Sequence, residues 1–147
     1  MNLKIRGIFG YYPPSQTLAF VRSHGGAVDL GDEVEPPLAV VKSDEFIILP
    51  MNFALLVSEE VEVPKGKVGF VTLRSTVARL GLMAPPTVVK PCFRGEVVLE
   101  VFNASPMPVK VSKGMELFEL VLADSEEPCY EGRYQGQKGL TPPKLPI

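Results

Sequence analysis

The chain has one histidine, His24, and no Cys-x-x-Cys pair. That excludes the His-x-Glu plus Pro-Cys-x-x-Cys ligand set of the zinc-dependent base deaminases. Cysteine is equally scarce: Cys92 and Cys129 are widely spaced and fall in no recognisable framework, so they are read as reduced thiols. No histidine stands near either one in sequence to activate it, which sets aside a cysteine nucleophile. An excess of one charge is also missing. The net charge is only -2, which provides no broad basic field, and no polynucleotide partner is expected. Apolar runs are too short to cross a membrane, and Met1-Asn2-Leu3-Lys4 does not read as a signal peptide, so the expected location is cytoplasmic and off the membrane. Fifteen prolines would interrupt helices. Long helices are therefore not expected.

What remains is a chain of 147 residues, 46% hydrophobic and 22% charged, long enough for one domain with a real core. Its pattern is strand-like. Phe46–Leu49, Ala54–Val57, Val68–Leu73, Glu96–Phe102, Val109–Val111 and Leu117–Leu122 are short apolar or alternating runs separated by Pro, Gly, Asn and Ser. The fold class is all-β. Residues 1–124 are read as a β-domain and 125–147 as a polar, Gly-rich tail of the same domain. That tail is either a flap closing over a ligand or a frayed terminus. Residues 10–45, with Tyr11-Tyr12-Pro13-Pro14, Gly25-Gly26 and Pro36-Pro37, read as mostly irregular.

The best chemistry lies between residues 70 and 103. A strand delivers Arg74 and Ser75 to a short helical turn that Ser75 or Thr76 can cap and Gly81 can end. Guanidinium and hydroxyl beside the backbone N–H groups of such a turn suit phosphate oxygens; a cap with a surface ion pair is the plainer reading. Arg79 follows one helical turn after Ser75, on the same face, and can orient a carboxylate, touch phosphate, or face solvent. Glu100 alternates with Val98 and Phe102, and a carboxyl among apolar neighbours is suited to shuttling a proton.

Five segments in order carry a resemblance. Arg74-Ser75-Thr76-Val77-Ala78-Arg79-Leu80-Gly81, Phe93-Arg94-Gly95-Glu96, Leu99-Glu100-Val101-Phe102-Asn103, Lys113 to Val121, and Tyr134-Gln135-Gly136-Gln137-Lys138-Gly139-Leu140-Thr141 resemble the motifs of the dUTPase and dCTP deaminase superfamily. The likeness is closest to archaeal dUTPases. More distantly, Gly25 to Leu30 resembles the motif whose aspartate, here Asp29, helps organise magnesium. The resemblance implies a distorted jelly-roll (β-clip) fold of the dUTPase type, a homotrimer with sites between subunits, Mg2+, and a deoxypyrimidine nucleoside triphosphate as ligand.

By the same resemblance, Arg74, Ser75 and Thr76 grip phosphate, and Thr87, Val88 and Val89 form the pyrimidine pocket through their backbone. Phe93 packs on the deoxyribose, while Tyr130, Arg133, Tyr134, Gln137 and Lys138 close over the triphosphate. In the deaminases the glutamate matching Glu100 activates water at C4 of cytosine, positioned by the counterparts of Ser75 and Arg79. One position departs: Lys90 stands where both families usually carry an aspartate, the base for water attack in dUTPases. A second is Glu119, where glutamine is usual. Three readings follow in order: a dUTP diphosphatase with Glu96, Glu100 or another carboxylate as base; a dCTP deaminase using Glu100; or a catalytically reduced nucleotide-binding homologue.

Overall fold

The computed structural model describes all 147 residues. Ten strands are threaded by two helices: β1 Asn2–Tyr11, α1 Pro14–Ser23, β2 Ala39–Lys42, β3 Glu45–Ile48, β4 Phe53–Glu62, β5 Lys67–Leu73, α2 Ser75–Ala78, β6 Leu82–Met83, β7 Thr87–Val89, β8 Arg94–Asn103, β9 Val109–Ser112 and β10 Glu116–Asp124. The all-β expectation holds. Every pairing is antiparallel. The main sheet runs β6-β8-β4-β1-β10-β5-β7, with β2 beside β1, while β3 and β9 form a separate pair.

Burial explains this order. β4 buries Ala54 to Ser58 without a break, as a strand covered on both faces must, and it sits between β8 and β1. β8 alternates strictly, with Val97, Leu99, Val101 and Asn103 buried and Glu96, Val98, Glu100 and Phe102 half-buried. Phe9, Leu56, Leu99 and Phe118 are sealed within the core, and Phe9 stacks on Phe46 at 5.0 Å between ring centres. Burying one such aromatic is worth roughly 2–3 kcal/mol. Register shifts at Leu3/Lys4, Ile5/Phe9 and Val57/Glu60 mark bulges that bend the strands. At the last of these, buried Ser58 Oγ donates to the Glu59 carbonyl at 2.8 Å and accepts the Val97 N–H at 2.9 Å.

Three expectations are corrected. A ten-residue helix, α1, occupies part of the stretch read as irregular. Its Pro13-Pro14 pair lies at the N-cap and first turn, where a missing N–H costs nothing. It buries no residue fully; Thr17, Phe20 and Val21, spaced i, i+3 and i+4, form its half-buried face. Second, α2 is capped at Arg74, and neither Ser75 nor Thr76 makes a side-chain cap bond. Third, Cys92 and Cys129 form a disulfide across a sequence separation of 37, with Cα atoms 5.0 Å apart. The β-strands bring together two sulfurs whose spacing alone predicted nothing.

Gly81 ends the α2 turn at φ 104, and a Cβ there would meet Ser105 Cβ at 2.7 Å. Both facts require glycine. Ser105 is held in turn by Asn103, a fully buried amide. Asn103 Nδ2 donates to the Ile48 and Met107 carbonyls at 2.9 and 2.8 Å, and Oδ1 accepts the Ser105 N–H and Oγ at 3.0 and 2.8 Å. The end of β8 and the end of the α2 turn are thus fixed to one another.

Candidate functional site

The curled sheet leaves a gap between β7 and β8, and the tail closes it. This cavity, of about 530 Å³, is bordered by Thr87, Val88, Val89 and Lys90 on one side and by Val97, Val98 and Glu100 on the other. Phe93 forms part of its floor, and Tyr130, Tyr134 and Gln137 come from the tail. Lys90 and Glu100 are the only charged side chains lining it. Glu100 lies opposite Leu55 in the β4–β8 register and is half-buried, as its alternation with Val98 and Phe102 predicts.

Lys90 Nζ is committed. It donates to Glu127 Oε2 and Oε1 at 2.8 and 3.1 Å, a half-exposed ion pair tying the turn after β7 to the tail. Glu96 is committed as well. Its carboxylate, only 12% exposed, accepts both Arg6 bonds at 2.7 and 2.8 Å and the Gly139 N–H at 2.6 Å. It faces a separate polar cleft that also borders Arg6, Glu60, Arg94 and Lys138. Glu96 therefore tethers the tail and has no lone pair directed at the cavity.

The tail has no helix or strand, yet it is laid against β8 and the turn before it. Tyr130 N–H donates to the Pro91 carbonyl at 2.9 Å, Gly136 N–H to Arg94 at 3.0 Å, and Glu96 N–H to Gln137 at 2.7 Å. Gln137 Nε2 returns a bond to the Glu96 carbonyl at 2.7 Å. Gly95 makes this approach possible, since a Cβ there would lie 2.8 Å from the Gln137 carbonyl oxygen. The Tyr130 ring tilts against Phe93 at 6.1 Å between centres.

The remaining residues singled out in the sequence lie elsewhere. Arg74 Nη1 donates to the Glu116 carbonyl at 2.9 Å, while Ser75, Thr76 and Arg79 are exposed around α2, outside the cavity. No ion pair joins Arg79 to Glu100 within the chain. Arg133 turns to the C-terminus, donating to the Lys144 and Pro146 carbonyls at 2.8 and 3.1 Å. Lys138 borders the polar cleft and Glu119 is exposed on β10. Asp29 lies on an exposed loop, where its Oδ1 accepts the Gly31 N–H at 2.8 Å. No three His, Cys, Asp or Glu side chains gather as metal ligands anywhere in the chain. The residues present therefore do not make a metal centre by themselves.

Sequence reasoning missed Tyr12, Phe53, Leu55, Thr141, Pro142 and Pro143 as cavity lining. Tyr12 stacks on Phe53 with ring centres 6.4 Å apart, and burial raises its phenol above the ordinary value of 10.0, so it stays neutral at physiological pH. No local motif marks these residues except Thr141, which ends the Tyr134–Thr141 segment. They converge only when β1, β4 and the tail end fold together.

The arrangement can hold a flat ring between β7 and β8 against one carboxylate, while Arg79 after the α2 turn is exposed outside the cavity and forms no ion pair. Comparison with known proteins places the chain among relatives. Residues 14–125 match the family described as dCTP deaminase-like. The dCTP deaminase of Pyrobaculum arsenaticum is 44% identical over 146 residues, which cover 98% of this chain and 79% of that one. The dCTP deaminase of Pyrobaculum calidifontis is 48% identical over 150 residues, with the same coverage. Among solved structures, a variant of the dUTPase from phage phi11 of S. aureus, described for the coordination of a structural Mg(II) ion, superposes with a TM-score of 0.50. The two share 16% identity, over 63% of this chain and 78% of that one, a likeness of fold alone. The β-strand architecture is thus of the dUTPase type, and the chain belongs to the dCTP deaminase-like family within the dUTPase and dCTP deaminase superfamily.

Proposed function

We propose that the chain deaminates dCTP, releasing ammonia and leaving dUTP, with Glu100 as the proton shuttle. One observation carries this reading. Glu100 is the sole carboxylate lining the cavity, and position 90 holds a lysine already paired with Glu127. A carboxylate there can take a proton from water as it adds to C4 of cytosine, then deliver it to the leaving amine. Thr87, Val88 and Val89 would hold the base edge, Phe93 the sugar, and Tyr130, Tyr134 and Gln137 would cover the ligand. The names of the related deaminases support the same choice.

Ser75 and Arg79 would position the water from a second copy of the chain, since within one copy they are exposed away from Glu100. Arg74 and Thr76 would contact the triphosphate in the same way. An assembly with sites between subunits, such as the homotrimer implied by the resemblance, would complete each site. Magnesium would arrive as counter-ion of the triphosphate, with Asp29 near it only if that loop lies against a neighbouring copy. Residues 125–147 would act as the closing flap, with Arg133 and Lys138 turning toward the phosphates on ligand binding. The cytoplasmic expectation fits an enzyme of nucleotide supply.

The dUTP diphosphatase expectation, placed first from sequence, now ranks second. It rests on likeness of fold, and Glu96, a candidate substitute base, is occupied by Arg6 and Gly139. The test follows ammonia and pyrophosphate together, from dCTP and from dUTP, with magnesium. Native protein should release ammonia from dCTP, and Glu100→Gln should lower that rate by ~10²–10⁴-fold while dCTP still binds. Ammonia release untouched by Glu100→Gln would refute the assignment. Pyrophosphate from dUTP without ammonia from dCTP would restore the diphosphatase.

A further inference from the structure

The cavity wall supplied by the tail is tied to the cavity floor by a single covalent link. Cys92 immediately precedes Phe93 on the floor, and Cys129 immediately precedes Tyr130 on the wall. The disulfide therefore sets the spacing of the two rings that face each other at 6.1 Å. The side-chain polar contacts along this seam are exposed. The Lys90–Glu127 pair is exposed by 44% and 50% on its two sides. Gln135 Nε2 reaches the Cys92 carbonyl at 3.1 Å, and its Oε1 accepts the Arg94 N–H at 3.0 Å, both in exposed positions. Exposed contacts of this kind add little to stability. Cys129 is itself exposed, so its sulfur can be reached from solvent.

We propose that the Cys92–Cys129 bridge is a thiol–disulfide latch that sets nucleotide affinity by holding the wall from Tyr130 to Gln137 against the cavity. The affinity part rests on the nucleotide reading above; the release of the wall does not. A dithiol is the reductant. Its thiolate attacks Cys129 Sγ, the bridge breaks, and Cys92 leaves as a thiolate that takes up a proton. The second thiol of the reductant then displaces Cys129 from the mixed disulfide. Two electrons and two protons pass to the protein, which ends with two free thiols, while the reductant ends as a disulfide. Once the bridge is open, Tyr130 and Tyr134 are held by the Tyr130 N–H bond to the Pro91 carbonyl, by the packing of Tyr130 on the core, by the exposed contacts and by the Glu96 anchor farther along.

The experiment compares the full chain in three states, oxidised, reduced by a dithiol and reoxidised, with thiol titration reporting each state. dCTP binding with magnesium is measured by calorimetry, steady-state rates by ammonia release, and wall opening by amide exchange at Tyr130 and Gly136. Reduction should weaken dCTP binding about tenfold, as expected when a tethered group loses its effective concentration. KM should rise more than kcat falls. Exchange at Tyr130 and Gly136 should quicken while Val71 and Leu120, in the β5–β10 pairing, stay protected. Reoxidation should restore both readouts, and Cys129→Ser should sit in the weak state and ignore the dithiol. Unchanged affinity and exchange after confirmed reduction would overturn the latch. So would equal loss of protection at Val71 and Leu120, which would make the bridge a staple of the whole fold. If the wall opens but dCTP binds neither form, the release mechanism stands and the nucleotide reading falls.

Discussion

Glu96→Ala removes the anchor at the far end of the tail, and the structure gives the size of the effect. The variant loses the Gly139 N–H bond to Glu96 Oε1 at 2.6 Å and the two-oxygen pairing with Arg6. A hydrogen bond to a charged group is worth about 1.5–3 kcal/mol. The Arg6 pairing joins β1 to β8 and is unchanged when the tail lifts, so it does not enter the sum. The Gly139 bond alone, about 2 kcal/mol, corresponds to roughly a thirtyfold rise in the population with the tail lifted from β8. The backbone bonds of Glu96 to Gln137 remain possible, which makes this an upper figure. Native-state amide exchange reads it directly. Gly136 N–H, bonded to Arg94, should exchange about thirty times faster. Core amides such as Leu120, which donates to the Met1 carbonyl at 2.8 Å, should barely change. A change at Gly136 under threefold would refute the tether, and equal acceleration in the core would mean that Glu96 supports the sheet instead.

Other expectations can be checked as directly. Asn103→Leu leaves the Ile48 carbonyl and the Ser105 N–H without partners, and should cost about 2–6 kcal/mol in urea unfolding at unchanged m-value. Lys90→Asp combined with Glu127→Gln restores a carboxylate at position 90 without opposing it to another. Pyrophosphate release from dUTP should then rise at least ~10-fold, and no change would mean that no latent hydrolytic site survives. Lys67 donates to Asp124 and, by that bond and its charge, holds the Asp124 carboxyl below its ordinary value of 3.8. The stabilisation is therefore present above pH 3.8 and lost as pH falls through the lowered value, and it is small because the group is exposed. Carboxyl NMR should show Asp124 titrating later on acidification than in Lys67→Met, where it should return toward 3.8.

How much was legible in the sequence differs by kind of signal. Period-two alternation placed Glu100 beside Val98 and Phe102 on the half-buried face of β8, because a strand fixes side-chain direction residue by residue. Short runs between turn residues gave the all-β class for the same reason. Motif order brought Thr87 to Lys90, Phe93, Tyr130, Tyr134 and Gln137 to one cavity. The failures share a cause in long-range geometry. The disulfide depends on the tail crossing back over the turn after β7, which no spacing reveals. Tyr12 and Phe53 meet through the β1–β4 pairing. Arg133, marked for phosphate, instead holds the C-terminal carbonyls of its own tail. Helix α1 escaped because its half-buried face is limited to Thr17, Phe20 and Val21 and is flanked by Pro and Gly pairs.

The polarity of the two half-sites argues for the chemistry at the base over chemistry at the phosphates. A nucleotide bound here would be ordered by charge. Its polyanion would meet Arg74 and Arg79 of a second copy, while a neutral pyrimidine would fit between the apolar walls of Val88, Val97 and Val98. Glu100 lies on β8 among those walls, at the end where the ring would sit. By the resemblance, a base for attack on phosphorus would stand at position 90, where the chain has Lys90, a cation whose pairing with Glu127 leaves no proton acceptor.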